Sequence, residues 1–153
     1  MLDRRDIEAL MCTYMRSLDR RLFDELRQIF HDDSVVDVGG LFNGTGSQYA
    51  VHASNFLAAC ESTHHQLGQM SIRLDGLVAT GESYFTAYHK IVGNGVASDL
   101  IVAGRYKDKF ENRGNGWRIS SRIIVTDWSS TRPTSQPFLD DPRVIRGGYG
   151  PRG

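Results

Sequence analysis

The sequence predicts an α+β fold: three N-terminal helices packed on a strongly bent, mostly antiparallel sheet, a cone-shaped α+β barrel. Three observations predict it. Helical apolar spacing occupies the first 60 residues apart from one short β-branched run. Long β-rich segments separated by Asp-Gly or Gly-Asn-Gly turn signals occupy residues 65–128. Helices and strands are therefore segregated along the chain, which places helices on one face of an antiparallel sheet.

Each element has its own signal. Ile7, Leu10, Met11, Tyr14 and Leu18 form one helical stripe, with Asp3 or Asp6 as its cap. A second, shorter helix spans Leu22 to Phe30, with Leu22, Phe23, Leu26, Ile29 and Phe30 on one side. His31-Asp-Asp breaks that pattern, and the β-branched run Ser34 to Val38 reads as a strand. Gly39 to Gly46 is a turn-rich loop. Gly46 or Ser47 caps a third helix that runs to about Cys60, with Tyr49, Ala53, Phe56, Leu57 and Cys60 inward. Four strands follow: His65 to Leu74, Leu77 to Val92 with a bend or bulge at Gly81, Ser98 to Phe110, and Trp117 to Trp128. All four prolines lie beyond residue 129, so residues 1–128 read as the folded body and 129–153 as a Pro/Gly-rich tail.

Composition excludes several classes. The 153 residues suit one domain, with 40% apolar, 24% charged and 10% aromatic content. A chain of this size buries about two thirds of its unfolded surface, enough for a core and a pocket. Eighteen basic residues balance eighteen acidic ones, which argues against a nucleic-acid partner. No apolar run approaches the length of a membrane span. The charged start Met1-Leu-Asp-Arg-Arg-Asp has no signal-peptide core, and Cys12 and Cys60 read as small core residues of a reduced, cytoplasmic protein. The Gly-x-Gly fragments are turns, and neither His-Glu-x-x-His nor Gly-x-Ser-x-Gly occurs.

Four groups of residues can carry chemistry. Tyr14 lies on the buried stripe of the first helix and Asp19 just past its end. A carboxylate there opposes the helix dipole, which suggests a purpose beyond the helix. His64 and His65 start the first long strand, where only one of two neighbours faces the interior. His89 shares a face with Ser83, Phe85, Ala87 and Ile91. Hairpin numbering around Asp75-Gly76 sets His65 opposite residue 86, and a bulge at Gly81 would bring His89 level with it. Arg122 shares strand parity with Arg118, Ser120, Ile124, Thr126 and Trp128, a solvated face or a polar pocket wall.

Together these residues resemble a known family, the SnoaL-like branch of the nuclear-transport-factor-2-like superfamily. The resemblance is to its scytalone dehydratase, bile acid 7-alpha-dehydratase and gamma-hexachlorocyclohexane dehydrochlorinase types. It is carried by Tyr14-x4-Asp19, by Thr63-His-His-Gln-Leu-Gly-Gln69, by His89, and by Arg122 five residues after Trp117. It implies that His65 and Asp19 form a catalytic dyad, with Tyr14, His89 and Arg122 around the substrate. Gln69 stands where the family often has Asn. Tyr14 stands where the dehydrochlorinase has Lys, which favours loss of water over loss of halide.

The physics of a dyad agrees. A neutral imidazole is a suitable base near pH 7, and a carboxylate on its other nitrogen fixes the tautomer. Such a site requires no metal and no organic cofactor. The resulting expectation is a cofactor-independent lyase of dehydratase type, or an isomerase, acting on a small hydrophobic ring compound such as a steroid, polyketide or aromatic intermediate. Tyr49, Phe56, Phe85, Tyr88 and Trp128 are the aromatic pocket candidates. The competing expectation is a non-catalytic ligand-binding or assembly module, akin to the small subunit of a ring-hydroxylating oxygenase. That reading requires Asp19 and His65 apart and the pocket plugged. The resemblance implies a homotrimer, with a dimer through the open sheet face as competitor. The tail, with Phe138-Leu139 as an anchor, is expected to lie over a neighbouring subunit or the pocket mouth, or to be disordered.

Overall fold

The structure, a computed structural model, describes residues 2–135 and 141–151. Its elements are α1 (Leu2–Arg20), α2 (Phe23–Gln28), β1 (Phe30–Asp37), β2 (Asn43–Gly44), α3 (Gly46–Ala58), β3 (Cys60–Asp75), β4 (Val78–Gly93), β5 (Val96–Asn112) and β6 (Trp117–Pro133). The six strands form one open sheet in the order β2-β1-β6-β5-β4-β3. Among the strands of the described residues, β1 and β6 run parallel and the other neighbours antiparallel. The helices pack on one face of this mixed sheet, the cone-shaped α+β arrangement that the sequence predicts. No helix among the described residues is long and apolar enough to cross a membrane.

The α1 stripe packs as its spacing requires, with Ile7, Met11, Tyr14 and Leu18 buried. Its carboxylate Asp3 sits in the first turn and accepts a hydrogen bond from the Trp117 indole at 2.9 Å. That bond ties α1 to β6. The cap of α3 is neither Gly46 nor Ser47 but Thr45. Its side chain accepts from the Gln48 backbone while the Gln48 side chain accepts from the Thr45 N–H, a reciprocal capping box. Cys60 is buried as predicted, whereas Cys12 is exposed on the outer side of α1.

The strands are longer than their patterns suggest, because pairing continues through polar residues. The last strand extends to Pro133, where it still pairs with Ser98. Four one-residue bulges in the antiparallel ladders decide which side chains face the helices, the first at Glu61 on β3, where Cys60 pairs with Ile91 but Ser62 with Lys90. A second extra residue on β3 lies at Gly68-Gln69, where Leu67 pairs with Phe85 but Met70 pairs with Ser83. Gly81 continues the regular ladder, pairing with Ile72 and Asp108, so the bulge predicted there is absent. On β6 one bulge falls at Ser120 and another at Asp127. Each reverses the inward and outward parity of the residues that follow.

Candidate active site

The interior faces of β3, β4, β5 and β6 and the helices α1 and α3 enclose an apolar cavity of about 250 Å³. Tyr14, Tyr49, Phe56, His65, Phe85 and His89 contribute to its wall. The wall also includes Val38, Leu41 and His52, which line it from the β1–α3 side. The sequence reading did not single out His52 or Tyr106. His52 lies one turn beyond Tyr49 on α3, and Tyr106 alternates with Asp108 and Phe110 on the buried face of β5.

Asp19 and His65 are in direct contact. His65 Nδ1 lies 2.7 Å from Asp19 Oδ1. The His65 backbone N–H donates to Asp19 Oδ2, also at 2.7 Å, and the Thr63 hydroxyl donates to Oδ1 at 3.1 Å. With a carboxylate as partner, Nδ1 carries the proton, which leaves Nε2 as the lone-pair nitrogen. Partial burial raises the Asp19 pKa. The hydrogen bonds from the His65 side chain and backbone, its charge and the Thr63 hydroxyl outweigh burial, and the net shift is downward. His64 is exposed, since strand alternation turns it away from the cavity.

His89 does not sit level with His65. It pairs with Thr63, while His65 pairs with Ala87. The two rings meet diagonally, edge to face, with centroids 5.3 Å apart. Phe56 packs on the His89 ring at 5.1 Å. Burial, and then the neighbouring His65, lower the His89 pKa to about 4. His89 is therefore a neutral imidazole at pH 7, suited to hydrogen bonding rather than to carrying charge.

Deeper in the cavity, the Tyr14 and Tyr49 hydroxyls share a hydrogen bond of 2.8 Å. Burial raises the Tyr49 and Tyr106 pKa values well above 10, which keeps both phenols protonated. The Tyr106 ring packs edge to face with Tyr14 and stacks on Phe85.

Arg122 lies beneath these tyrosines rather than on a solvated face. Its side chain is completely buried. The bulge at Ser120 brings Arg122 onto the same side as Trp117 and Ile119. Its guanidinium forms two bonds with Asp108, Nε to Oδ1 at 2.7 Å and Nη2 to Oδ2 at 2.8 Å. It lies 4.1 Å from the Tyr14 ring centroid and 4.2 Å from that of Tyr106. Burial opposes the charge, but the Asp108 carboxylate outweighs it and holds Arg122 protonated. Arg122 is not part of the cavity wall, whereas Tyr14 and Tyr106, which its guanidinium faces, are. Asp108 was missed because Lys107-Asp-Lys109 reads as a solvated charge run. Its parity with Tyr106 and Phe110 was the available signal.

Two pocket candidates lie elsewhere. Tyr88 precedes the inward His89 and so faces the outer side of the sheet, where its hydroxyl donates to Asp99 at 2.9 Å. Trp128 has the parity of Thr126, but the Asp127 bulge turns it outward against Ala103, and it is 53% exposed. Phe138 and Leu139 lie outside the described residues. Among the described residues no three His, Cys, Asp or Glu side chains converge as a metal-binding group.

Comparison with known proteins gives consistent relatives. A family model described as a SnoaL-like domain matches residues 1–123. An uncharacterized protein of Mycobacterium tuberculosis is 30% identical over 125 residues, covering 79% of this chain and 83% of its own. A crystal structure from Novosphingobium aromaticivorans, described as a candidate scytalone dehydratase, superposes with a TM-score of 0.76 at 22% identity, covering 99% and 95% of the two chains. A type 3 hexachlorocyclohexane dehydrochlorinase from Novosphingobium barchaimii superposes with a TM-score of 0.75 at 17% identity, covering 84% and 89%. At these identities the structural likenesses establish the fold.

Proposed function

This chain belongs to the SnoaL-like domain family, and we propose that within it the protein is a cofactor-independent lyase that eliminates water from a small hydrophobic ring compound. The observation that carries this reading is the 2.7 Å contact between Asp19 and His65, with the His65 ring on the wall of an apolar cavity. A base needs hydrogen-bond reach, a fixed tautomer and a dry setting, and this arrangement supplies all three.

The proposed step balances without a co-reactant. His65 Nε2 takes the proton from a carbon beside a ring carbonyl. The electrons of that C–H bond form the double bond as the C–O bond to a neighbouring hydroxyl breaks. The proton on the imidazolium then passes to the departing oxygen, which leaves as water. Asp19 stabilises the imidazolium in between. One of the paired Tyr14 and Tyr49 hydroxyls donates to the carbonyl oxygen as negative charge builds there while the other donates to its partner, and the Arg122 charge beneath Tyr14 favours that donation. His89, neutral at pH 7, holds the substrate hydroxyl. Without a leaving group the same base yields an isomerase.

Cavity size narrows the substrate. An apolar cavity of about 150 Å³ holds one benzene ring, so 250 Å³ suits one or two fused rings better than a whole steroid. The non-catalytic alternative requires a separated dyad and a plugged pocket, and this geometry favours the enzyme. For assembly we retain a homotrimer, with a dimer as competitor. Tyr84, Ile123 and Trp128 are exposed apolar side chains that such contacts would cover, and light scattering after gel filtration distinguishes the two.

The test is a screen of hydroxylated one- and two-ring ketones for loss of water, followed by His65→Ala and Asp19→Asn. Dehydration that falls on the order of a hundredfold or more in both variants supports the reading. Dehydration that survives either substitution at the wild-type rate overturns it.

A further inference from the structure

We propose that Arg21 is a positioning residue for the Asp19–His65 pair, its guanidinium tying the end of α1 to the start of β3 and to the returning C-terminal segment. The proposal rests on the reading of that pair as the catalytic base.

The backbone gives no reason for an arginine here. The Leu22 N–H donates to the Ser17 carbonyl at 2.9 Å and the Arg21 N–H to the Leu18 carbonyl at 3.3 Å. This paired closure of a helix end calls for a left-handed residue just past the helix, usually glycine. Arg21 occupies that position with φ of 55°. Its Cβ is disfavoured in this conformation. Among the described residues Asn94 is the other non-glycine with positive φ, and asparagine tolerates it.

The side chain does give a reason. Arg21 Nη2 donates to the Cys60 carbonyl at 2.7 Å and to the Tyr149 hydroxyl at 3.0 Å. The guanidinium lies 4.1 Å from the Tyr149 ring centroid. The Tyr149 hydroxyl in turn donates to the Glu61 carbonyl at 2.5 Å. One residue on, the Gly150 N–H donates to the Arg20 carbonyl at 2.8 Å, and the Arg20 guanidinium donates back to the Gly150 carbonyl. Residues 20 and 21, 60 and 61, and 149 and 150 are thus cross-braced. Arg21 Nε is buried with no hydrogen-bond partner, so this side chain gives up hydration to make the brace.

The brace joins the two segments that carry the dyad. Asp19 lies two residues before Arg21, and Thr63 and His65 lie three and five residues after Cys60. Asp19 must satisfy the His65 ring and the His65 backbone together, each at 2.7 Å. Helix ends fray within their last turn. A second cavity, lined in part by Asp19, Thr63, His64, Gly148 and Tyr149, reaches the carboxylate from behind. A loosened helix end would let water from that side compete for its acceptor oxygens.

The test is Arg21→Gly, which accepts the left-handed backbone and removes the guanidinium. The readout is the downfield proton NMR resonance of the His65 Nδ1–H bonded to Asp19, assigned by its loss in Asp19→Asn. The expected result is a Tm equal to or above that of wild type, with the resonance broadened or lost. Turnover of a hydroxylated ketone found in the screen above should fall at least tenfold. Tyr149→Phe, which removes one hydroxyl, should give an intermediate linewidth. Retention of the wild-type resonance in Arg21→Gly overturns the proposal. So does a lowered Tm with that resonance intact, because the arginine would then serve stability alone. Absence of the resonance in wild-type protein overturns the dyad itself, and the unsubstituted chain alone reveals that outcome.

Discussion

Removing Asp108 should destabilise this protein more than most single substitutions, because it strands a charge in a dry core. The Arg122 and Asp108 side chains are both fully buried. Two charge-assisted hydrogen bonds join them, and a third donor atom, Arg122 Nη1, is buried without a partner. In Asp108→Ala the guanidinium keeps its contacts with Met11 sulfur and the Tyr14, Tyr106 and Phe30 rings but has no carboxylate partner. Desolvated ring faces contribute about 2 kcal/mol each, but they cannot supply the opposite charge and acceptor oxygens of a carboxylate. Breaking a buried pair from one side costs about 3–5 kcal/mol. For a domain of this size that corresponds to a Tm lower by about 6–20 °C. Urea unfolding followed by tryptophan fluorescence and circular dichroism measures the cost. The double variant Arg122→Met with Asp108→Leu removes both charges and should recover most of the loss, since a hydrophobic replacement of a buried pair is often neutral. A cost in Asp108→Ala below about 1 kcal/mol at an unchanged urea slope would refute the reasoning and show a hydrated pair.

Further outcomes follow from other sites. His89 carries a pKa of about 4 in the folded state against 6.5 unfolded. The unfolded chain therefore binds the extra proton first as pH falls, so this contribution is complete above about pH 6.5 and lost toward pH 4. It amounts to about 3 kcal/mol, and urea unfolding across that range should show a shallower slope in His89→Gln. Asp19, whose pKa is lowered below 3.8, contributes stability above that value and loses it at more acid pH, a loss that Asp19→Asn should abolish. Gly104→Ala should be poorly tolerated, because its Cβ would lie 2.0 Å from the Val125 carbonyl oxygen. Its cost should reach about 3 kcal/mol in urea unfolding, and a neutral result would show that β5 and β6 separate more readily than their register implies. Tyr14→Phe and Tyr49→Phe each break the shared hydroxyl bond at 2.8 Å. Each should cost about 1 kcal/mol in stability and lower kcat of dehydration more than it raises KM, which kinetics on the screened ketone would check.

How far the sequence reaches depends on which interactions are local. The α1 stripe, the placement of Tyr14 and Asp19 along it, and the inward parity of His89 come from the helical and strand periods, which act within a few residues. The order of helices and strands follows from the same signals. The resemblance chose His65 over His64, and the structure has His65 facing the cavity. The sidedness of β6 is a different matter. Its alternation made Arg122 and Trp128 neighbours on one face, whereas Arg122 is buried and Trp128 exposed. The bulge at Ser120 turns Arg122 inward, the bulge at Asp127 then separates Trp128 from it, and a bulge is set by what the partner strand offers.

The sequence by itself determined the fold class, the helix faces and the residue types available for a base. Only the tertiary structure decided that Asp19 meets His65, that Tyr14 meets Tyr49, and that Asp108 neutralises Arg122. Those contacts span 46, 35 and 14 residues of chain. They depend on strand register, where a shift of one residue exchanges inside for outside. Periodicity records which faces are apolar. It does not record which two polar groups, far apart in the chain, are brought within 3 Å when those faces close.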